Sequence, residues 1–296
     1  NDIKVITPQD RNNSELNVVD GINAIRDKLS TTGTSVRLVG LSGVGKTRFA
    51  QALFDDRIGE NNLNVKDVWY CDVGDSPNPL PEHFIEELKL KNKPFILIVD
   101  NCGQDVHSNL TKTIQSTEIS LLTIEYDVKD DLPERTDVYK LQPNSTNIIQ
   151  KVIERHYPDV NDINRRKISD FSGGNYRLAL AIASNIEKTD NLALLTDSEL
   201  FERLFWQKGR QNEELFKIAK SFALVYSFNI EDSGEENSEL DFLSNFAKVD
   251  SDTAIEAIEM LKSKDIVQQR GVWRAILPHA LANHLAKELI STKLVK

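Results

Sequence analysis

The sequence has few cysteines, no long hydrophobic run and no excess of basic residues. Its two cysteines, Cys71 and Cys102, are too few for a disulfide framework in a chain of 296 residues. The longest apolar run is PFILIV, which is far shorter than the ~18–20 residues of a membrane span. The first ten residues lack the basic and apolar regions of a signal peptide. We therefore expect a protein of the reducing cytoplasm with no membrane partner.

The charge balance argues against an anionic partner. The sequence has 36 Lys and Arg against 46 Asp and Glu, which gives a formal net charge of -10. Binding to nucleic acid or to an anionic membrane needs clustered positive charge. A nucleic-acid partner is therefore disfavoured, although a local basic patch stays open as an alternative. The strongest basic cluster is NRRK at 164–167.

Residues 1–142 have the pattern of an α/β domain. Five β-rich runs alternate there with helical patterns: SVRLVGL, DVWYCDV, FILIVDN, ISLLTIEYD and DVYKLQ. Apolar strands that are separated by helices and buried on both faces are typical of a parallel sheet. We therefore predict a five-stranded parallel sheet in a first domain that ends at residue 142. The three tryptophans lie among apolar neighbours and are predicted to be core residues: Trp69, Trp206 and Trp273.

The rest of the chain is predicted to be mainly helical and to form two domains. The segments PNSTNIIQKVIERHYP, NDINRRKISDFSGG and NYRLALAIASNI predict three helices of a small domain over 143–198. Gly173 and Gly174 mark the end of the second of these helices. In residues 199–296 the predicted order is helix, helix, strand, a turn at Gly271, strand and helix. This order is that of a winged-helix domain.

Residues 40–47 read GLSGVGKT and fit the phosphate-loop pattern G-x-x-x-x-G-K-[ST] in full. A predicted strand precedes the motif and a predicted helix follows it, as the motif requires. Its glycines allow successive N–H groups to converge on phosphate oxygens. Lys46 is predicted to reach the β- and γ-phosphates and Thr47 to bind Mg²⁺. The alternative is a chance match in a glycine-rich turn. The predicted nucleotide contacts of this segment are Gly40, Ser42, Gly43, Val44, Gly45, Lys46, Thr47 and Arg48.

Asp100 ends the buried run PFILIVD and is predicted to share the Mg²⁺ ion with Thr47. Mg²⁺ beside nucleotide phosphates takes one or two carboxylate ligands, and a strand-ending aspartate is a common source of them. The alternative is an aspartate that only caps the next helix. The combined pattern predicts an α/β P-loop NTPase domain with ATP or ADP and Mg²⁺ as cofactors.

The residue after Asp100 bears on catalysis. Many P-loop ATPases have a second acid there, whereas this sequence has Asn101. An amide can hold a water molecule but cannot accept its proton. We therefore predict slow hydrolysis, with Asp100, Asn101 and Glu125 as the catalytic residues and Glu125 or Asp127 as the candidate base.

The strand series, the helical segment and the winged helix together resemble the STAND class of P-loop NTPases, which includes NB-ARC and NACHT proteins and is close to AAA+ enzymes. The segment GNYR is similar to the AAA+ sensor 2 pattern, which implies that Arg177 reaches the γ-phosphate. The segment ILPHALANHLA is similar to an NB-ARC segment, which implies that His279 contacts the β-phosphate of ADP. From the residues alone, Arg177 can also be a surface residue and His279 a helix cap. The sequence departs from the family at Tyr126, Pro278 and Ala280.

The resemblance implies a nucleotide-controlled switch. ADP would hold the domains closed, and exchange for ATP would open them, drive homo-oligomerisation and activate an effector in antiviral defence. Effector and sensor domains are expected outside this sequence. Adenine as the base is likewise implied by the family, since the sequence has no N-K-x-D guanine motif.

Two other functions fit parts of the pattern. An AAA+-like DNA-associated ATPase would use the winged helix, with DTAIEAIEMLKSK as its recognition helix. Asp252, Glu256 and Glu259 on that helix would repel DNA phosphates, which disfavours this hypothesis. A small-molecule kinase would explain the phosphate loop but would give the winged helix no role.

Overall fold

The structure, a computed structural model, describes most of the chain in two compact units. The units are Asn1–Ser145 and Thr146–Lys296. None of the helices in the described part of the chain is long and apolar enough to cross a membrane. The described residues are 3–8, 14–91, 93–125, 133–186, 191–207, 210–234, 238–264, 266–270, 272–277 and 279–294.

The first unit contains a seven-stranded, mostly parallel sheet with the order β2-β1-β7-β3-β6-β5-β4. Neighbouring strands from β7 to β4 are parallel, whereas β1 is antiparallel to both β2 and β7. The prediction of a five-stranded sheet is therefore wrong in number, because two short antiparallel strands extend the five parallel ones. The strands are β1 Lys4–Thr7, β2 Ser14–Asn17, β3 Ser35–Val39, β4 Val68–Asp72, β5 Phe95–Asp100, β6 Ile119–Glu125 and β7 Asp137–Leu141.

Helices cover both faces of this sheet. One face packs residues such as Leu38 and Leu122 against α1 (Val18–Leu29) and α2 (Lys46–Ala52). The other face packs residues such as Leu97 against helices α3, Pro81–Lys89, and α4, Gln104–Thr113. Because the central strands are buried on both faces, they are rich in apolar residues, and this pattern is what made them predictable.

The second unit is mainly helical. Gly173 ends the second of its helices in the left-handed conformation, with φ of 56°, which confirms the predicted end signal. One hydrophobic core joins residues on both sides of the predicted boundary at 198, for example Ile168 and Leu215. The division into domains at 142 and 198 stays a prediction. The helices are α5 Thr146–His156, α6 Asp162–Ser172, α7 Tyr176–Ala183, α8 Asp197–Arg203, α9 Glu213–Phe222, α10 Glu239–Ala247, α11 Ser251–Ser263 and α12 His279–Leu294.

Short strands accompany these helices. β11 and β12 pair in an antiparallel manner directly after α10 and α11, and β10 pairs with the other side of β12. Helix, helix, strand and strand thus follow one another in the order that the sequence predicts. The assignment of this region as a winged helix stays a prediction. The strands are β8 Trp206–Gln207, β9 Arg210–Gln211, β10 Phe228–Asn229, β11 Val267–Arg270 and β12 Trp273–Ile276.

Two of the tryptophans are not core residues. Trp69 is 42% exposed and Trp273 is 47% exposed, so their prediction as core is wrong. Trp69 belongs to β4, the last strand of the seven-stranded sheet, and an edge strand has no neighbour on its outer side. The side chain of Trp206 lies outside the described part of the structure.

Arg26 on α1 fixes the end of α2. Its guanidinium group is fully buried and donates hydrogen bonds to the carbonyl oxygens of Ala52, Leu53, Asp55, Ile58 and Glu60. The last carbonyls of a helix have no partner within the helix and need donors from elsewhere. Arg26 thus anchors the helix that directly follows the GLSGVGKT segment.

Replacing Arg26 with lysine should lower the free energy of unfolding by about 2–4 kcal/mol. Lysine has three donors, so some of the five carbonyls would be buried without a hydrogen bond, which costs about 1–3 kcal/mol each. Urea unfolding followed by circular dichroism measures the change. Arg57→Lys is the matched control, because Arg57 is an exposed partner of Asp55 and exposed ion pairs contribute little to the free energy of unfolding. Equal losses in the two variants would contradict the role of Arg26.

Candidate functional site

The GLSGVGKT segment forms a loop between β3 and α2. Gly43 and Gly45 have φ of 80° and 101°, backbone conformations that other residues rarely adopt. The N–H of Phe49 donates to the carbonyl of Gly45 at 2.8 Å, which begins the helix. A glycine-rich loop between a buried strand and a helix is the context that the phosphate-loop motif requires.

The loop is held against the segment that contains the end of β7. Gly40 has φ of 155°, and a Cβ atom at this position would lie 2.7 Å from the carbonyl oxygen of Leu141. Farther along the loop, the carbonyl of Val44 accepts a hydrogen bond from Asn144 Nδ2 at 2.9 Å. Asn144 is buried, and sequence reasoning missed it because 100 residues separate it from Val44.

Lys46 is the first residue of α2, and its ammonium group lies within the curve of the loop. Nζ donates to the carbonyl oxygens of Gly40 and Leu41, both at 2.9 Å. Ser42, the third residue of the loop, is buried. Arg48 is exposed and donates to Gln51 Oε1 on the same helix at 3.0 Å, so its predicted contact with nucleotide stays a prediction.

Thr47 and Asp100, the two predicted metal ligands, lie in direct contact. The Thr47 hydroxyl donates to Oδ2 of Asp100 at 2.9 Å, and Asp100 is buried at the end of β5. The other carboxylate oxygen, Oδ1, accepts the backbone N–H of Asn101 at 2.8 Å. The two residues are 53 positions apart in sequence and meet because parallel strands end at the same edge of the sheet.

Strand β4 adds two side chains that the sequence analysis did not select. The Tyr70 hydroxyl donates to Asp100 Oδ2 at 3.0 Å. Asp72 pairs with Asp100 in the register of the two strands and its Oδ1 accepts Asn101 Nδ2 at 2.7 Å. Partial burial and the charge of Asp100 raise the pKa of Tyr70, so its hydroxyl stays protonated and donates. The available signal was the run DVWYCDV, which places Tyr70 and Asp72 on one face near a strand end.

Asn101 links two neighbouring carboxylates. Its backbone N–H donates to Asp100 and its side-chain amide donates to Asp72. Its φ is 53°, a left-handed conformation that asparagine adopts more readily than most residues other than glycine. An amide with two donor hydrogens therefore suits this position both by conformation and by charge.

Glu125 ends β6 and lies beside the start of the loop. It is buried and pairs in register with Val39, the last residue of β3. Two residues earlier, Thr123 pairs in register with Arg37, and a guanidinium nitrogen of Arg37 lies 3.5 Å from the Thr123 hydroxyl. The same nitrogen donates to the carbonyl of Cys102 at 3.1 Å.

A buried histidine completes this polar cluster. His107 on α4 is fully buried and lies between the hydroxyl groups of Thr123 and Thr136, at 2.8 and 3.0 Å. Burial and the nearby charge of Arg37 lower the pKa of His107 to about 4. The imidazole is therefore neutral at pH 7, and Arg37 carries the positive charge of the cluster.

The remaining predicted residues lie in the second unit or outside the described ranges. Arg177 is on α7, whose N-cap Asn175 accepts the N–H of Leu178 at 3.0 Å. His279 is the first residue of α12, and its side chain is not among those described. Their predicted contacts with phosphate stay predictions. Tyr126, Asp127, Gly271 and Pro278 lie outside the described residues.

The mostly parallel sheet, the glycine-rich loop and the carboxylate at a nearby strand end define the fold of a P-loop NTPase domain. No protein-family model matches the chain, and no curated protein matches it either. A Walker-type ATPase of Pyrococcus abyssi is similar in structure, with a TM-score of 0.41, 14% identity and coverage of 93% of this chain and 97% of that chain. The AAA domain of FIGL-1 in complex with ADP has a TM-score of 0.39 and 11% identity over 65% of this chain and 82% of that chain. Both TM-scores are low, and neither similarity says what this chain binds.

The side chains at the loop fit a phosphate group with a magnesium ion. Lys46 supplies a positive charge within the loop, while Thr47 and Asp100 supply the oxygen ligands that Mg²⁺ prefers. Within the described ranges, no group of three or more His, Cys, Asp or Glu side chains is arranged to hold a metal ion. A magnesium ion at this site would therefore take its remaining ligands from phosphate oxygens and water.

Replacing Gly40 with alanine should weaken nucleotide binding at least tenfold, because the added Cβ would push the loop away from Leu141. Calorimetric titration with ADP and Mg²⁺ measures the effect. Gly103→Ala is the matched control: Gly103 follows β5 at the same edge of the sheet, and a Cβ there would contact nothing within 4 Å. A similar loss of ADP affinity in both variants would show that the contact with Leu141 does not matter.

Proposed function

We propose that this chain binds ATP and ADP with Mg²⁺ and acts as a nucleotide-controlled switch. The observation that carries the proposal is the 2.9 Å hydrogen bond from Thr47 to Asp100, next to a loop that holds Lys46. In this arrangement Lys46 binds the β- and γ-phosphates, and Thr47 and Asp100 hold the metal ion. The ion supplies positive charge that stabilises the phosphate oxygens.

Lys46 is held in a position from which it can bind phosphate with little movement. Two of its acceptors are the neutral carbonyls of Gly40 and Leu41. A hydrogen bond to a charged group contributes about 1.5–3 kcal/mol, against about 0.5–1.5 kcal/mol for a neutral pair. Exchange of one of these carbonyls for a phosphate oxygen is therefore favourable.

A switch requires that ATP and ADP stabilise different states. Moving an equilibrium from 1:99 to 99:1 requires about 5.5 kcal/mol of differential binding. Two or three charge-assisted contacts to the γ-phosphate, at ~1.5–3 kcal/mol each, contribute about 3–9 kcal/mol, a range that includes this amount. We assign these contacts to Lys46, the metal ion and Arg177, and we assign His279 to the β-phosphate of ADP.

The resemblance to STAND proteins supports the later steps of the proposal. Arg177 lies in the predicted helical lid and His279 in the predicted winged-helix domain, so nucleotide contacts from both would couple these parts to the bound state. The ATP-bound form would associate into a homo-oligomer and activate an effector in antiviral defence. The effector and sensor domains would lie outside this sequence, and adenine would be the base.

The surroundings of Asp100 support slow hydrolysis. Asn101 cannot accept a proton, and its amide donates to Asp72. We propose Glu125, at the end of the strand between β3 and β5, as the base for the remaining activity. An amide at position 101 forgoes there the ~10²–10⁴-fold that general-base catalysis contributes. With slow turnover, a bound nucleotide stays in place for long enough to stabilise one conformation of the switch.

The protein purified without added nucleotide should release close to one ADP per chain when it is denatured. Lys46→Ala should release almost none, because the phosphates lose their positive partner. Chromatography of the released material measures this content. Lys28→Ala is the control, since Lys28 is an exposed partner of Asp137 in the same unit. An empty wild-type protein with fast ATP turnover that Asp100→Asn abolishes would contradict the switch and indicate a motor.

Asn101→Glu alone should not raise the rate of ATP hydrolysis, because the new carboxylate would face Asp72 without a donor between them. Asn101→Glu combined with Asp72→Asn restores a donor–acceptor pair and should raise the rate roughly tenfold or more, part of the ~10²–10⁴-fold that a base can contribute. Single-turnover phosphate release measures both, with Asp72→Asn alone as the control. If Asn101→Glu alone were as fast as the double variant, repulsion by Asp72 would not be the controlling factor.

A further inference from the structure

Tyr70 combines an exposed ring with a hydroxyl group that reaches a buried carboxylate. It lies on β4, the last strand of the sheet, and its side chain is 53% exposed. Its hydroxyl nevertheless donates to Oδ2 of Asp100 at 3.0 Å, and Asp100 is buried. An exposed tyrosine can hydrogen-bond to water at no cost, so the burial of surface does not explain this orientation.

Tyr70 shares its acceptor atom with Thr47. Oδ2 of Asp100 accepts from the Thr47 hydroxyl at 2.9 Å and from the Tyr70 hydroxyl at 3.0 Å. Oδ1 of Asp100 accepts the N–H of Asn101 at 2.8 Å. The three donors belong to α2, β4 and the residue after β5, and they hold the carboxylate from different sides. Without Tyr70, Oδ2 would keep only one of its two protein donors.

We propose that Tyr70 is a positioning residue for the metal site and acts through Asp100. This inference rests on the proposed function, because it assumes that Asp100 takes part in binding Mg²⁺ beside a nucleotide. Tyr70 fixes the rotation of the carboxylate so that the ion meets a ligand already oriented towards Thr47. The nucleotide itself does not need this contact, since Lys46 and the loop hold the phosphates.

The expected loss of metal affinity follows from the usual contribution of residues that hydrogen-bond to a metal ligand. Residues that orient a metal ligand typically contribute about 10–100-fold to metal affinity. Tyr70 is partly exposed, so water can replace some of its interaction with Asp100. We therefore expect a loss of metal affinity near the lower end, about tenfold, when the hydroxyl is removed.

The test measures metal binding directly. Mn²⁺ is titrated into the ADP-loaded protein in place of Mg²⁺, and electron paramagnetic resonance determines the free Mn²⁺. Tyr70→Phe should weaken Mn²⁺ binding about tenfold and leave the ADP content and the thermal unfolding temperature unchanged. Tyr226→Phe, which alters an exposed tyrosine of the second unit, should leave Mn²⁺ binding unchanged. Tyr70→Phe should have no further effect in the presence of Asp100→Asn, because the two residues act through one contact.

Each result separates this inference from the proposed function. Unchanged Mn²⁺ affinity in Tyr70→Phe, with ADP bound as in the wild type, overturns the role of Tyr70 and leaves the nucleotide site intact. An equal loss of Mn²⁺ affinity with and without Asp100→Asn also overturns it, since the effect would not pass through Asp100. A wild-type protein that binds no ADP at all refutes the proposed function and this inference with it.

Discussion

The hydrogen bond between Thr47 and Asp100 is the contact on which the rest of the site depends. It joins the helix that follows the phosphate loop to a strand that is not adjacent to the loop strand, because β6 lies between β3 and β5. A buried carboxylate is unfavourable unless donors surround it, and Asp100 receives them from Thr47, Tyr70 and Asn101. Asp100 thus links α2 to the ends of β4 and β5, and Arg26 holds the other end of α2.

Two buried arginines also support this arrangement. Both donate hydrogen bonds to neutral oxygen atoms. Arg26 uses backbone carbonyls to hold the end of α2, and Arg37 uses the carbonyl of Cys102 and the Thr123 hydroxyl. Burial lowers the pKa of the Arg26 guanidinium, and the charge of Asp55 partly offsets this effect. His107 adds no charge at neutral pH, because burial lowers its pKa to about 4. Arg37 therefore carries the positive charge of the polar cluster that it shares with Thr123 and His107.

The sequence was sufficient to predict those parts of the site that are formed by residues close together in the chain. It was not sufficient for the parts that depend on how the strands pair. The loop from Gly40 to Thr47 is local, so its residues and their order were sufficient to predict it. The five parallel strands were predictable from their apolar runs, whereas β2, with the sequence SELN, has no apolar pattern and was missed. Tyr70 and Asn144 contact partners 30 and 100 positions away, and only the register of the sheet shows which residues meet. Arg177 and His279 are identified by resemblance alone.

The identity of residue 101 follows from the electrostatics of its neighbours. Asp72 and Asp100 pair directly across two parallel strands, so two carboxylates lie side by side at the edge of the sheet. A third acid at position 101 would face Asp72, which now accepts the Asn101 side-chain amide, and like charges in contact repel strongly in a partly buried site. The asparagine side chain instead donates to Asp72, while the backbone N–H of the same residue donates to Asp100. With asparagine at position 101, this position also has no group that could accept a proton from water. A donor for Asp72 and a base for hydrolysis are therefore in conflict at this position, and asparagine supplies the donor, in agreement with the slow hydrolysis that we propose.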